Sequence, residues 1–302
     1  MTRSGEHRTA GSMRTPNFEL ELLPDDAGWD FSGLRILRLS AGAQHTFDTM
    51  EHEVIVLPQS GSATVSVDGE LFELEGRDGV FAGVSDFVYA PRDSRVTIKS
   101  TSGGRFALPS AHARRRLPAR HQAAANTPVE LRGAGDCSRQ LVNFCTPDTF
   151  EADRIIAVEA YVPHGNWATF PPHKHDVEAD GETALEEIYY YEIADGPAGP
   201  GMCYQRVYAS DERPIDVLAE VRTGDVVLIP HGWHGPSMAV PGYHAYFHNV
   251  MAGAGAERAW KICEDPSHAW VRDTWTDEPV DPRLPLPGFD AANVGAIEDW
   301  GR

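Results

Sequence analysis

The spacing of apolar residues constrains this chain most. They fall in short runs, many of them alternating. Residues 62–69 read Ser-Ala-Thr-Val-Ser-Val and close on the turn pair Asp68-Gly69. Asp225-Val226-Val227-Leu228-Ile229 is a β-rich run stopped by Pro230. Further strands are expected at 34–39, 54–57, 87–90, 95–99, 155–161, 187–192, 204–208 and 246–251. The chain carries 28 glycines and 22 prolines, which punctuate these runs at short intervals. No long amphipathic helix is evident, and short helices are expected only near 266–271 and 290–300. The pattern predicts an all-β protein of the sandwich or barrel kind.

The two halves share a layout. Gly79 to Pro91 and Gly224 to Pro230 both run from glycine through an apolar strand to proline. A repeat near half of 302 residues points to two β-barrel domains in tandem. The expected division is a disordered tail over 1–15, one domain over 16–125, a second over 126–275, and a tail over 276–302. The basic stretch 113–121 between the halves reads as a solvated linker.

The charge balance is 26 Lys+Arg against 45 Asp+Glu, a net −19. That excess disfavours nucleic acid and anionic membranes as partners. Cysteines stand singly at 137, 145, 203 and 263, with no C-x-x-C pair, as expected for reduced thiols in the cytoplasm. No apolar run has the length of a signal peptide core or a membrane span.

Histidine is unevenly placed. Of 13, seven lie between 164 and 248: His164, His173, His175, His231, His234, His244 and His248. His173 and His175 stand two apart, so on a strand they project from one face. About twelve residues later a carboxylate, Glu186 or Glu187, opens a β-rich run, and His234 follows a strand end. Three imidazoles and a carboxylate suit one divalent transition metal, with Zn or Mn foremost and Fe, Co or Ni compatible. Glu186 and Glu187 are strand neighbours, so only one of them should face the histidines.

These segments resemble the two motifs of the cupin superfamily: His173-x-His175 with a downstream Glu, then Gly224-x5-Pro230-x-Gly232-x-His234. The second motif is one residue shorter than usual before its histidine. The longer text resembles the 5-deoxy-glucuronate isomerase family of inositol catabolism. Its carriers are Gly165 to Asp176, Leu185 to Tyr191, Gln205-Arg206-Val207-Tyr208 and Asn249 to Gly253. The resemblance implies a bicupin with one metal-bearing half and His173, His175, Glu187 and His234 as ligands. It also implies conversion of 5-deoxy-D-glucuronate to 5-dehydro-2-deoxy-D-gluconate. The first half departs from a working site, since His45 lacks an i+2 partner.

Such an aldose–ketose isomerisation needs a Lewis acid at the developing oxyanion and a cation at the substrate carboxylate. Arg206 is the candidate for the carboxylate, with Gln205 on the same strand. Tyr189 and Tyr191 share the face of Glu187 and are candidate hydrogen-bond donors. Tyr246, with His248, is a candidate neighbour of the ligands. Lys174 and Asp176 alternate away from the ligands, and His231 is a candidate proton shuttle. The same ligand set also suits an Fe(II) dioxygenase or a sugar-binding module that retains a metal. Exposed edges of paired barrels favour a homo-oligomer acting on a small anionic sugar acid.

Overall fold

The computed structural model describes residues 5–210, 213–289 and the short strand Val294–Gly295. Short alternating segments can bury only one face each, so they pair into antiparallel sheets that stack. The first half supplies one sheet running from Leu20–Leu22 to Arg120–Gln122. Its longest strand, His52–Val67, hydrogen-bonds with Gly104–His112, Glu70–Arg77 and Phe87–Ala90. The sheet folds back on itself around Leu37, Val54, Val65, Val96 and Phe106.

The second half supplies two sheets. In the first, Glu186–Ile193 lies between Val226–Ile229 and Ala245–Ala252, and Ile156–Val162 pairs onward to Arg139–Cys145. In the second, Trp233–Ala239 lies between His173–Lys174 and Cys203–Tyr208.

The sheet holding Glu186–Ile193 has apolar residues on both faces. Ile188, Tyr190, Tyr246 and Val250 pack against Leu34, Ile36, Ile55 and Phe87 of the first half. Tyr189, Tyr191, Val227 and Phe247 pack inward against Val207 and Val217 of the second sheet. The interior between these two sheets is where a site can form. Arg77 of the first half crosses the joint to a buried ion pair with Glu159, and its Nη1 also donates to the Tyr161 hydroxyl at 3.0 Å.

Both expected tails are corrected over their described residues. His7–Arg8 pairs antiparallel with Val226–Val227, and Asp225 accepts the Ala10 N–H at 2.8 Å. Leu284, Leu286 and Phe289 are buried in the joint between the halves, and Val294–Gly295 adds a parallel strand to Val129–Arg132. The helix expected near 266–271 is a 3-10 helix over Ala269–Asp277. The one expected over 290–300 lies outside the described residues, apart from the strand Val294–Gly295. In the basic linker, Arg115 and Arg120 are ion-paired with Asp153 and Glu151.

Candidate metal centre

Strand register puts the histidines together. His173 lies directly across from His234 on neighbouring strands, and His175 follows two residues later. Glu187 reaches them from the facing sheet, where its strand is held by Ile229 on one side and Met251 on the other. His173 Nε2 lies 3.1 Å from His234 Nε2. Glu187 Oε2 lies 3.0 Å from His175 Nε2 and 3.1 Å from His234 Nε2. One ring nitrogen from each of the three histidines lies within 4.8 Å of the others, a grouping that could hold a metal ion.

The second ring nitrogen of two histidines is already used. His175 Nδ1 sits 3.2 Å from the Leu185 carbonyl, and His234 Nδ1 sits 3.3 Å from the Gly232 carbonyl. A carbonyl only accepts, so these contacts assign the proton to Nδ1 and turn the Nε2 lone pairs inward. Burial, with His234 and His175 alongside, pushes the His173 imidazole well below its ordinary pKa. Burial opposes the charge on Glu187, but His175 and His234 beside it hold its carboxyl at about 2. Without a cation among them, the charge that favours the Glu187 carboxylate has to come from the imidazoles beside it; a divalent ion would supply it while leaving the Nε2 lone pairs free to bind. Donors about 2.0–2.1 Å from one ion stand about 2.9–3.4 Å apart, and the His173–His234, His175–Glu187 and His234–Glu187 contacts fall in that range. The residues fit a divalent transition metal.

Neighbours fix the ligands. Asp176 joins the two ligand segments: its Oδ2 accepts the Gly232 N–H at 2.8 Å, while Lys174 Nζ holds its Oδ1 at 2.9 Å. Lys174 also pairs with Glu182, so both residues flanking His175 brace the site. Gly235, beside His234, has φ +110°, and a Cβ there would lie 1.8 Å from the Thr169 carbonyl oxygen, so only glycine lets the chains approach. Glu186 faces away, as alternation requires, and accepts the N–H groups of Asp30, Phe31 and Ser32 at 2.8–3.0 Å.

Of the other candidates, Tyr189 reaches the centre: its ring stands edge-on to His234 at 6.1 Å. Tyr191 and Gln205 lie one layer deeper and satisfy each other, the hydroxyl donating to Gln205 Oε1 at 2.7 Å. Gln205 Nε2 is also engaged, donating to the Arg206 carbonyl at 3.1 Å.

Arg206 is not brought to the site. It points outward from its strand, ion-paired with the exposed Asp216 and lying over the Tyr208 ring. Tyr246 is likewise corrected: it faces the joint between the halves and donates to Glu159 at 2.8 Å, with His248 on the same side. His231 is half-buried, and its Nε2 has no hydrogen-bond partner among the described residues. His45 packs edge-on against Phe18 at 5.1 Å.

Two residues at the site were missed. Asn249 lies across from Tyr189 on the neighbouring strand, and its buried Nδ2 has no hydrogen-bond partner among the described residues. Arg139 is a buried guanidinium on the strand Arg139–Cys145, and its only signal was an arginine opening an apolar run.

Fold and site together define a bicupin with a three-histidine, one-carboxylate centre in its second half. The model of the KduI/IolB family matches residues 7–271, and the chain belongs to that family. It is 36% identical over 269 residues to the 5-deoxy-glucuronate isomerase of Geobacillus thermodenitrificans, covering 87% of this chain and 95% of that protein. It is 33% identical to the 5-deoxy-glucuronate isomerase of Bacillus subtilis strain 168, covering 83% and 91%. The crystal structure of an IolB-like protein from Salmonella typhimurium superposes with a TM-score of 0.81 at 30% identity, over 89% of this chain and all of that one. Oxalate decarboxylase of Bacillus subtilis, at 13% identity and a TM-score of 0.59 over 87% and 80%, shares the fold.

Proposed function

We propose that this chain is a metal-dependent aldose–ketose isomerase of myo-inositol catabolism. It converts 5-deoxy-D-glucuronate to 5-dehydro-2-deoxy-D-gluconate, with His173, His175, Glu187 and His234 as ligands. The observation that carries the reading is the convergence of inward-facing Nε2 atoms on the Glu187 carboxylate. The names of the relatives supply the substrate. Zn or Mn is the proposed ion, with Fe, Co or Ni compatible with the donors. A divalent ion held by these residues would supply Lewis-acid stabilisation of the charge that develops on the sugar during isomerisation.

The chain's own residues orient the sugar and hold its charges. Tyr189 and Asn249, beside the ligands, offer hydrogen bonds to sugar oxygens. Tyr191, Gln205 and Ser237 form the layer beneath and keep Tyr189's surroundings rigid. The enzyme is proposed to be cytoplasmic and homo-oligomeric, built from two cupin domains over 16–125 and 126–275. No helix of the described residues is long and apolar enough to cross a membrane.

Anaerobic turnover of 5-deoxy-glucuronate by metal-replete protein tests the reading and separates an isomerase from an Fe(II) dioxygenase. The expected result is full activity without oxygen and its loss in His175→Ala with the fold retained. Oxygen-dependent product, or normal turnover by His175→Ala, contradicts it.

A further inference from the structure

We propose that Arg139, on the wall of the metal-bearing barrel, is the anchor for the carboxylate of the anionic substrate. The inference rests on the isomerase reading for the identity of that substrate, but its physical basis is independent.

Arg139 opens the strand Arg139–Cys145, where alternate residues share a face. Leu141, two residues on, belongs to the inward core with Tyr189 and Tyr191, so Arg139 faces the same interior. The residue is 7% exposed. Its one hydrogen bond runs from Nη1 to the Cys137 carbonyl at 3.3 Å, and among the described residues it makes no ion pair.

Its neighbours show what is missing. Arg132, directly across on Val129–Arg132, holds Glu130 through bonds of 2.7 and 2.9 Å. Arg272 is ion-paired with Glu264, whose backbone pairs with His173. Each of these arginines has a carboxylate bonded to it; among the described residues Arg139 has none in contact, and Glu130, already held by Arg132, acts on it only through space. Arg139 stands directly across from Arg132, and Glu264, the partner of Arg272, pairs with His173, so Arg139 lies on the side of the barrel that carries His173, and it acts electrostatically on His173 and Tyr189.

A buried, unpaired cation is costly unless something negative completes it. A guanidinium is planar and forked, which matches a carboxylate bidentately. A uronate carries its carboxylate at the end of the chain opposite its aldehyde. Binding one end beside the histidines and the other at Arg139 would hold the sugar at two points and reject neutral sugars. It also answers how an acidic protein binds an anion: a local cation overrides the long-range field.

The test compares wild type, Arg139→Met and Arg139→Lys, all metal-loaded, by calorimetric titration with D-glucuronate and with neutral D-glucose, alongside steady-state kinetics on 5-deoxy-glucuronate. Arg139→Met should weaken D-glucuronate binding about 10- to 100-fold, the worth of a charge-assisted pair. KM should rise by a similar factor, with a smaller change in kcat. Arg139→Lys should recover part of both, and metal content and glucose binding should not change. Without ligand, Arg139→Met should melt no lower than wild type, because it removes an unpaired buried charge; a structural arginine would lower it.

Equal D-glucuronate affinity and KM in wild type and Arg139→Met overturn the inference and leave the isomerase reading intact. An Arg139-dependent D-glucuronate affinity in a protein that does not isomerise 5-deoxy-glucuronate supports the anchor and overturns the isomerase reading. Should Arg139→Met fail to fold, Arg139→Lys decides: affinity and KM equal to wild type, together with an unchanged melting temperature, overturn the anchor.

Discussion

Glu186 and Glu187 are adjacent and chemically identical, yet the structure gives them separate duties. Glu187 points at the histidines, while Glu186 accepts the backbone N–H groups of Asp30, Phe31 and Ser32. Glu186→Ala leaves three donors without their acceptor. A hydrogen bond to a charged group contributes about 1.5–3 kcal/mol when buried and less near solvent, so at about 1 kcal/mol each the loss is about 2–4 kcal/mol. With an unfolding entropy of about 2 cal/mol/K per residue over 302 residues, that is a fall of roughly 3–6 °C in melting temperature. Metal affinity should not change. Glu187→Gln should do the reverse. A partner that merely orients a ligand is worth about 10- to 100-fold in affinity, so losing the one anionic donor should cost at least about 100-fold. Chelator competition reads the affinity, and thermal melts of the metal-free variants read the fold. If Glu186→Ala loses the metal while Glu187→Gln keeps it, the facing of this strand is wrong and the site with it.

Three further outcomes follow from the same contacts. Arg206→Ala should leave KM within twofold and stability within about 0.5 kcal/mol, because its ion pair with Asp216 is exposed; a tenfold rise in KM would return it to the substrate site. Arg77→Met strands the buried Glu159 carboxylate at the joint between the halves and should cost about 3–5 kcal/mol in denaturant unfolding. A loss under 1 kcal/mol would contradict that role. Gly235→Ala should abolish metal binding or folding, since the added Cβ meets the Thr169 carbonyl.

The grouping of His173 with His175 was legible in the sequence because alternation along a strand is a local property. It also put Glu186 and Glu187 on opposite faces, while the choice of Glu187 came from the family resemblance. Alternation also separated Arg206 from Gln205 but could not say which pair points inward, and the bulge between Gln205 and Val207 adds to the ambiguity. Tyr246 was misplaced for a related reason: every residue of Ala245–Ala252 is buried, so neither face announces itself as the one with the site. The ends of the chain were illegible on other grounds. His7 finds its strand partner at Val227, and no short-range pattern encodes a pairing across that distance. Arg139 sits in no motif. Its signal is physical, an arginine at an inward position of an apolar strand with no carboxylate to meet it, and that emerges only when its neighbours are known.

The central claim is that the converging Nε2 atoms and the Glu187 carboxylate hold a catalytic ion. Chelation followed by metal reconstitution, with bound metal and 5-deoxy-glucuronate isomerisation measured on the same samples, tests it most directly. The account predicts close to one divalent ion per chain, turnover that disappears with the ion, and recovery in proportion to the ion restored. Isomerisation that persists at full rate in chelated, metal-free protein would contradict it.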